Sequence, residues 1–128
     1  MATVAVHSTH KYQQAIHARH HQLSADESAA LGGDDQGPNP YELLLSGLGA
    51  CTSITLRMYA ERKGWSLGEI HVDLRFYRDE EGGEHIERTL HCSGELEVAQ
   101  QERLLEIAAR TPVTRTLLQG TAVATQWK

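Results

Sequence analysis

The chain reads as an α+β protein, and three observations predict it. Short alternating, β-branched runs stand near the amino terminus. A long helical pattern between Asn39 and Gly64 is apolar on nearly every side. A second alternating pair of runs follows, and then two more stretches return to helical spacing. With 128 residues, a single domain spanning 1–128 is expected, burying about two thirds of its unfolded surface.

Taken in order, residues 3–7 (TVAVH) alternate and predict a strand, with a turn over Ser8 to Lys11. Tyr12 to His17 and Arg19 to Leu23 read as two further short strands. Residues 24–38, SADESAALGGDDQGP, are turn-formers and acids without periodicity, a loop long enough to be functional. Asn39 then caps a helix, Pro40 fits its first position, and Glu42 falls where its carboxylate can reach back to the cap. Leu43, Leu44, Leu45, Leu48, Ala50, Cys51, Ile54, Leu56, Met58 and Tyr59 cover most of its circumference, so a buried helix is expected. Arg62 and Lys63 suit its carboxyl end, and Gly64 stops it.

Glu69 to Arg78 alternates cleanly, with Ile70, Val72, Leu74 and Phe76 on one face. Asp79 to Glu84 (DEEGGE) is a hairpin loop, and Ile86 to Leu96 is the returning strand. Ala99 to Arg110 is helical by its Leu104, Leu105, Ile107 and Ala108 spacing. Thr111-Pro112 starts a last short helix through Leu118, which Gly120 ends, and Thr121 to Trp127 reads as a closing strand. A helix apolar all round needs cover on both sides. Either the two later helices supply it, or the same helix of a second subunit does so in a two-fold dimer.

Composition narrows the function. A net charge of −5 with no basic cluster argues against nucleic acid. Met1 to His10 has neither the charged start nor the apolar core of a secretory signal, and the Leu43–Leu56 run is too short and interrupted to span a bilayer. Two cysteines do not make a disulfide framework, so a cytoplasmic, reducing setting is expected. No motif calls for a metal or cofactor. His20 and His21 are adjacent and would point to opposite faces of a strand, and with His17 they match no closed metal site.

The most suggestive chemistry is Cys51, at the centre of the long helix among Gly47, Gly49, Ala50 and Ser53. It is either a small packing residue or a nucleophile. A nucleophile at mid-helix gains nothing from the helix dipole, so an arginine or histidine elsewhere must support the thiolate. Glu42 is explained by the cap, but could also orient such an arginine. Nine residues of helix rise about 13.5 Å and turn about 900°, placing Glu42 and Cys51 on opposite faces. The two can share a site only across a dimer. Cys92 is in phase with Leu90 and Ile86 and reads as a core residue.

The stretch GPNPYELLLSGLGACTSITLRMYAERKGW resembles the OsmC/Ohr family, thiol-dependent peroxidases that reduce organic hydroperoxides. The resemblance extends through DES…GGDDQGP, ERTL…GEL, ERLLEIA and TPVTRTL, about residues 20 to 120. It implies an OsmC-like fold: N-terminal strands, a long buried central helix, a hairpin and C-terminal helices, assembled as an intertwined homodimer with two active sites at the interface. It implies that Cys51 is the peroxidatic cysteine, oxidised to a sulfenic acid and restored by a dithiol such as lipoamide. The family's carboxylate that holds an activating arginine falls near Glu42, one position off, because Tyr41 stands ten before Cys51. Arg19 is the candidate arginine. The family's second cysteine, which precedes Pro-Val in the last motif, is replaced by Thr111, so recycling by an external thiol is expected.

Three readings follow. The first is hydroperoxide reduction through Cys51. The second is a non-catalytic member binding a small apolar or acyl ligand at the dimer interface, which Thr111 favours. The third is cysteine-based acyl transfer, which needs His71 or His91 beside Cys51. None of them involves nucleic acid or membrane as a partner.

Overall fold

The computed structural model describes residues 1–128 and confirms the α+β class. The chain divides into two compact units, Met1–Ser46 and Gly47–Lys128, with one long helix beginning in the first and continuing into the second.

The first unit holds three antiparallel strands in the order β1 (Ala5–His10), β2 (Gln13–Ala18) and β3 (His21–Ala25). Val6, Ile16 and Leu23 lie in register across them, so the alternating apolar residues share a face. The connecting turns are tight, with Lys11 and Arg19 in the left-handed region. His20 sits in the second turn rather than in a strand, so strand alternation does not separate it from His21. Their rings lie 4.0 Å apart.

The loop before the helix is ordered by Asp26. Its buried carboxylate accepts the backbone N–H groups of Glu27 (2.7 Å) and Gln36 (3.0 Å), and its own N–H donates to the Pro38 carbonyl. Gly33 is obligatory there, because a Cβ would collide with the Glu27 carbonyl. Residues Ala29–Leu31 add one 3₁₀ turn.

Helix α1 spans Pro40–Lys63, and its start is the reciprocal cap read from the sequence. The Glu42 carboxylate accepts the Asn39 N–H at 2.8 Å, and the Asn39 side chain accepts the Glu42 N–H at 2.9 Å.

In the second unit the rest of α1 is joined by the hairpin β4 (Ile70–Arg78) and β5 (Glu84–Cys92), then α2 (Val98–Ala108) and α3 (Pro112–Gln119). The core is built by Leu56, Tyr59 and Ala60 of α1 with Leu67 and Leu104. Ile70, Leu90, Cys92, Leu96 and Ile107 pack around them. Glu97 and Gln100 cap α2 reciprocally; Thr111 stands at the N-cap of α3 with Pro112 at its first position, but the Thr111 hydroxyl makes no cap hydrogen bond and pairs with Thr114 instead.

Three expectations are corrected. α1 is not buried on all sides: Leu44, Ile54 and Met58 are exposed, the last two at 55% and 58%. Neither α2 nor α3 covers that face. The small residues near Cys51 do not all pack: Gly47 and Ala50 are open, and only Gly49 is tight, where a Cβ would lie 2.8 Å from Leu74 Cδ1. Thr121–Trp127 forms no strand and pairs with neither sheet. By length and composition alone the 24-residue α1 is also long and apolar enough to cross a bilayer, which the shorter Leu43–Leu56 run is not. A core helix passes the same test, and Leu48, Leu56, Tyr59 and Ala60 are buried by packing within the chain.

Candidate functional site

Cys51 is a free, half-buried thiol in the middle of α1. Its helix face is set by period: Leu44, Gly47, Cys51, Ile54 and Met58 recur at intervals of three and four and form one stripe. Thr52, the next residue, turns inward and is fully buried. Its hydroxyl donates to the Leu48 carbonyl at 2.7 Å and accepts from Arg88 at 2.9 Å.

Arg88 is the group that sequence reading missed. It stands on β5 opposite Leu74, in phase with the apolar residues Ile86, Leu90 and Cys92. Its Nη1 donates to Thr52 and Thr114 at 2.9 Å each, and its Nη2 to the Ala108 carbonyl at 2.8 Å. Those three acceptors lie on α1, in α3 and at the end of α2, so one guanidinium ties the three helices to the hairpin. Burial pushes Arg88 below the usual arginine range, and the nearby Cys51 sulfur, when charged, opposes that shift.

Thr111 closes the network. It is 1% exposed, and its hydroxyl shares a 2.6 Å hydrogen bond with Thr114, which in turn donates to the Ala108 carbonyl. Where the family resemblance expects a second sulfur, this chain has a hydroxyl already committed to a buried chain of hydrogen bonds.

The other candidates take no part in these hydrogen bonds. Glu42 is engaged in the Asn39 cap, on the face of α1 opposite Cys51. Arg19 is exposed in the β2–β3 turn of the first unit. His71 and His91 face each other across the hairpin with ring centroids 5.8 Å apart, and His71 reaches Glu69 at 3.3 Å. By alternation they occupy the face opposite Leu74 and Arg88, which leaves the acyl-transfer reading without its histidine. Cys92 packs against the core, and burial pushes its thiol up while Arg57 pulls it down.

A family model described as OsmC-like protein matches residues 33–126, nearly three quarters of the chain. The chain belongs to the OsmC-like protein family. The matched span includes Glu42, Cys51, Arg88 and Thr111, while Arg19 lies before it. Solved structures agree on the OsmC-like fold. An osmotic-stress-induced and detoxification response protein of Psychrobacter arcticus superposes with a TM-score of 0.80 at 14% identity, covering 91% of this chain and 88% of that one. The organic hydroperoxide resistance protein OsmC of Legionella pneumophila gives 0.67 at 21% identity, over 91% and 88%. The organic hydroperoxide resistance protein OhrB of Bacillus subtilis gives 0.63 at 22%, over 91% and 89%. No curated protein matches the sequence.

Proposed function

We propose that this OsmC-like protein is a one-cysteine peroxidase that reduces organic hydroperoxides through Cys51. The observation that carries the proposal is a half-buried thiol next in sequence to Thr52, whose hydroxyl accepts from Arg88, a guanidinium anchored by three hydrogen bonds and lacking a carboxylate partner. The names of the Legionella and Bacillus structural relatives support the substrate class.

The chemistry balances as follows. The Cys51 thiolate attacks the peroxide, an S–O bond forms and the O–O bond breaks. Sulfur loses two electrons, and the alkoxide leaves as an alcohol after taking a proton from solvent. Cys51 is left as a sulfenic acid. One external thiol condenses with it, releasing water and forming a mixed disulfide. A second thiol, or the other arm of a dithiol, then displaces Cys51 as the thiolate and leaves as disulfide. The external reductant is required because Thr111 carries no sulfur and Cys92, raised by burial, is a poor resolving thiol. A reducing, cytoplasmic compartment would keep such a thiol supplied.

The working form in this reading is a homodimer. The stripe of Leu44, Gly47, Cys51, Ile54 and Met58 has the three-four spacing of a helix-pairing seam, and its large apolar members are left uncovered by their own chain. A second α1 is its natural cover. Glu42 and Arg19, both in the first unit, then serve the thiol of the second copy.

The test is consumption of tert-butyl hydroperoxide under excess dithiothreitol. Wild type and Cys92→Ser should turn over alike and Cys51→Ser should not. Equal rates for wild type and Cys51→Ser would sink the proposal. The committed hydroxyl of Thr111 favours a second reading, a non-catalytic member that binds a small apolar or acyl ligand. It predicts no peroxide consumption and no oxidised Cys51.

A further inference from the structure

Arg88 and Thr114 also border a groove of about 280 Å³, whose other walls are Leu48, Ile86, Ala109, Leu117 and Leu118. Leu117 and Leu118 come from α3, whose outer turn leaves them 37% and 79% exposed. The groove is therefore a mostly apolar trough with a cation at its base.

The charge at that base is not neutralised by any carboxylate. Arg88 takes part in none of the chain's ion pairs with acids, and no Asp or Glu lines the groove. Its hydrogen bonds to Thr52, Thr114 and Ala108 use three of the five guanidinium N–H donors. The Nε–H and one Nη2–H are left, and two such donors on a planar fork match the two oxygens of a carboxylate. A half-buried cation with two unused donors, set in an apolar trough, is complementary to an anion that carries an alkyl chain.

We infer that this groove is a binding site for an acyl carboxylate, its head on the Arg88 fork and its chain along Leu48, Ile86, Leu117 and Leu118. At about 280 Å³ the groove is at the small end for a ligand site, which favours a medium-chain acid over a long one. Binding there needs no peroxide reduction, although it uses the same Arg88. Only its consequence rests on the proposed function: a carboxylate on Arg88 competes with the Cys51 thiolate for the same cation, so occupancy quiets the thiol.

The probe is octanoate, titrated by calorimetry and followed by the Arg88 Nε–H resonance in NMR spectra. Octanoate should saturate and shift that resonance, octan-1-ol should bind at least tenfold more weakly, and acetate should not bind measurably. Arg88→Met should abolish binding. Because that change also removes internal hydrogen bonds, Leu118→Glu is the companion variant. It adds a carboxylate at an exposed rim position and should weaken octanoate at least tenfold with the fold intact. Octan-1-ol binding as tightly as octanoate, or Leu118→Glu binding like wild type, overturns the site. So does octanoate binding that disappears as the protein self-associates, since a second copy would then be the occupant. With the site saturated, Cys51 alkylation at pH 7 should slow severalfold. Binding that leaves alkylation unchanged refutes the coupling to Cys51, while loss of peroxidase activity alone leaves the site standing.

Discussion

Replacing Arg88 by methionine separates the architectural part of the account from the chemical part. Architecturally the loss is three hydrogen bonds, which at about 1.5–3 kcal/mol each for a charged donor would total several kcal/mol. The structure argues for less. Thr52 keeps its bond to Leu48, Thr114 keeps Thr111 and the Ala108 carbonyl, and so no buried acceptor is orphaned. Removing the arginine also removes its desolvation penalty. The expected cost is about 1–2 kcal/mol, seen as a fall of about 4–8 °C in the melting temperature of a chain this size.

Chemically, a guanidinium near a thiolate favours it, and for a pair as exposed as this one the gain is about 1 kcal/mol. Alkylation of Cys51 by iodoacetamide at pH 7 should therefore slow about fivefold, with Arg88→Lys intermediate. The assay is mass-resolved labelling, so that Cys92 is counted separately. Unchanged Cys51 labelling in a folded Arg88→Met protein would refute the idea that this arginine supports the thiol.

Other outcomes follow from the same geometry. Thr111→Val should cost about 1 kcal/mol by chemical denaturation, because one buried hydroxyl pair is lost while Thr114 retains Arg88. Asn39→Ala should cost about 1 kcal/mol by removing the α1 cap without altering Cys51 labelling. Met58→Glu, on the uncovered stripe, should convert a dimer to monomer by sedimentation, and a wild type that sediments as a monomer would remove the basis for that assembly. The Asp79 carboxylate is held below its ordinary value of 3.8, first by His85 and then by the Gly83 N–H. Its contribution to the β4–β5 turn is present above that value and is lost as pH falls below it. Amide exchange at Glu81 and Gly83 should accelerate there, and Asp79→Asn should remove the pH dependence.

What was legible in the sequence is local. The Asn39–Glu42 cap, the Thr111-Pro112 helix start and the alternation of β4 each rest on neighbours within a few residues, and the structure holds all three. What was not legible depends on partners far along the chain. Arg88 meets Thr52 across 36 positions. Its only trace in the sequence was a charge at an inward phase between Ile86 and Leu90, a position that a strand tolerates only if the charge is bonded. The burial of α1 was overestimated for a related reason. An apolar surface says that cover is wanted, not which chain supplies it. Thr121–Trp127 has a strand's residues but no ladder to join.

The most direct test of the central claim is the fate of the Cys51 sulfur after one equivalent of cumene hydroperoxide. Dimedone trapping and peptide mass spectrometry should find a sulfenic acid adduct on Cys51, formed faster in wild type than in Arg88→Met and absent from Cys92. Intact Cys51 thiol alongside unconsumed peroxide would contradict it.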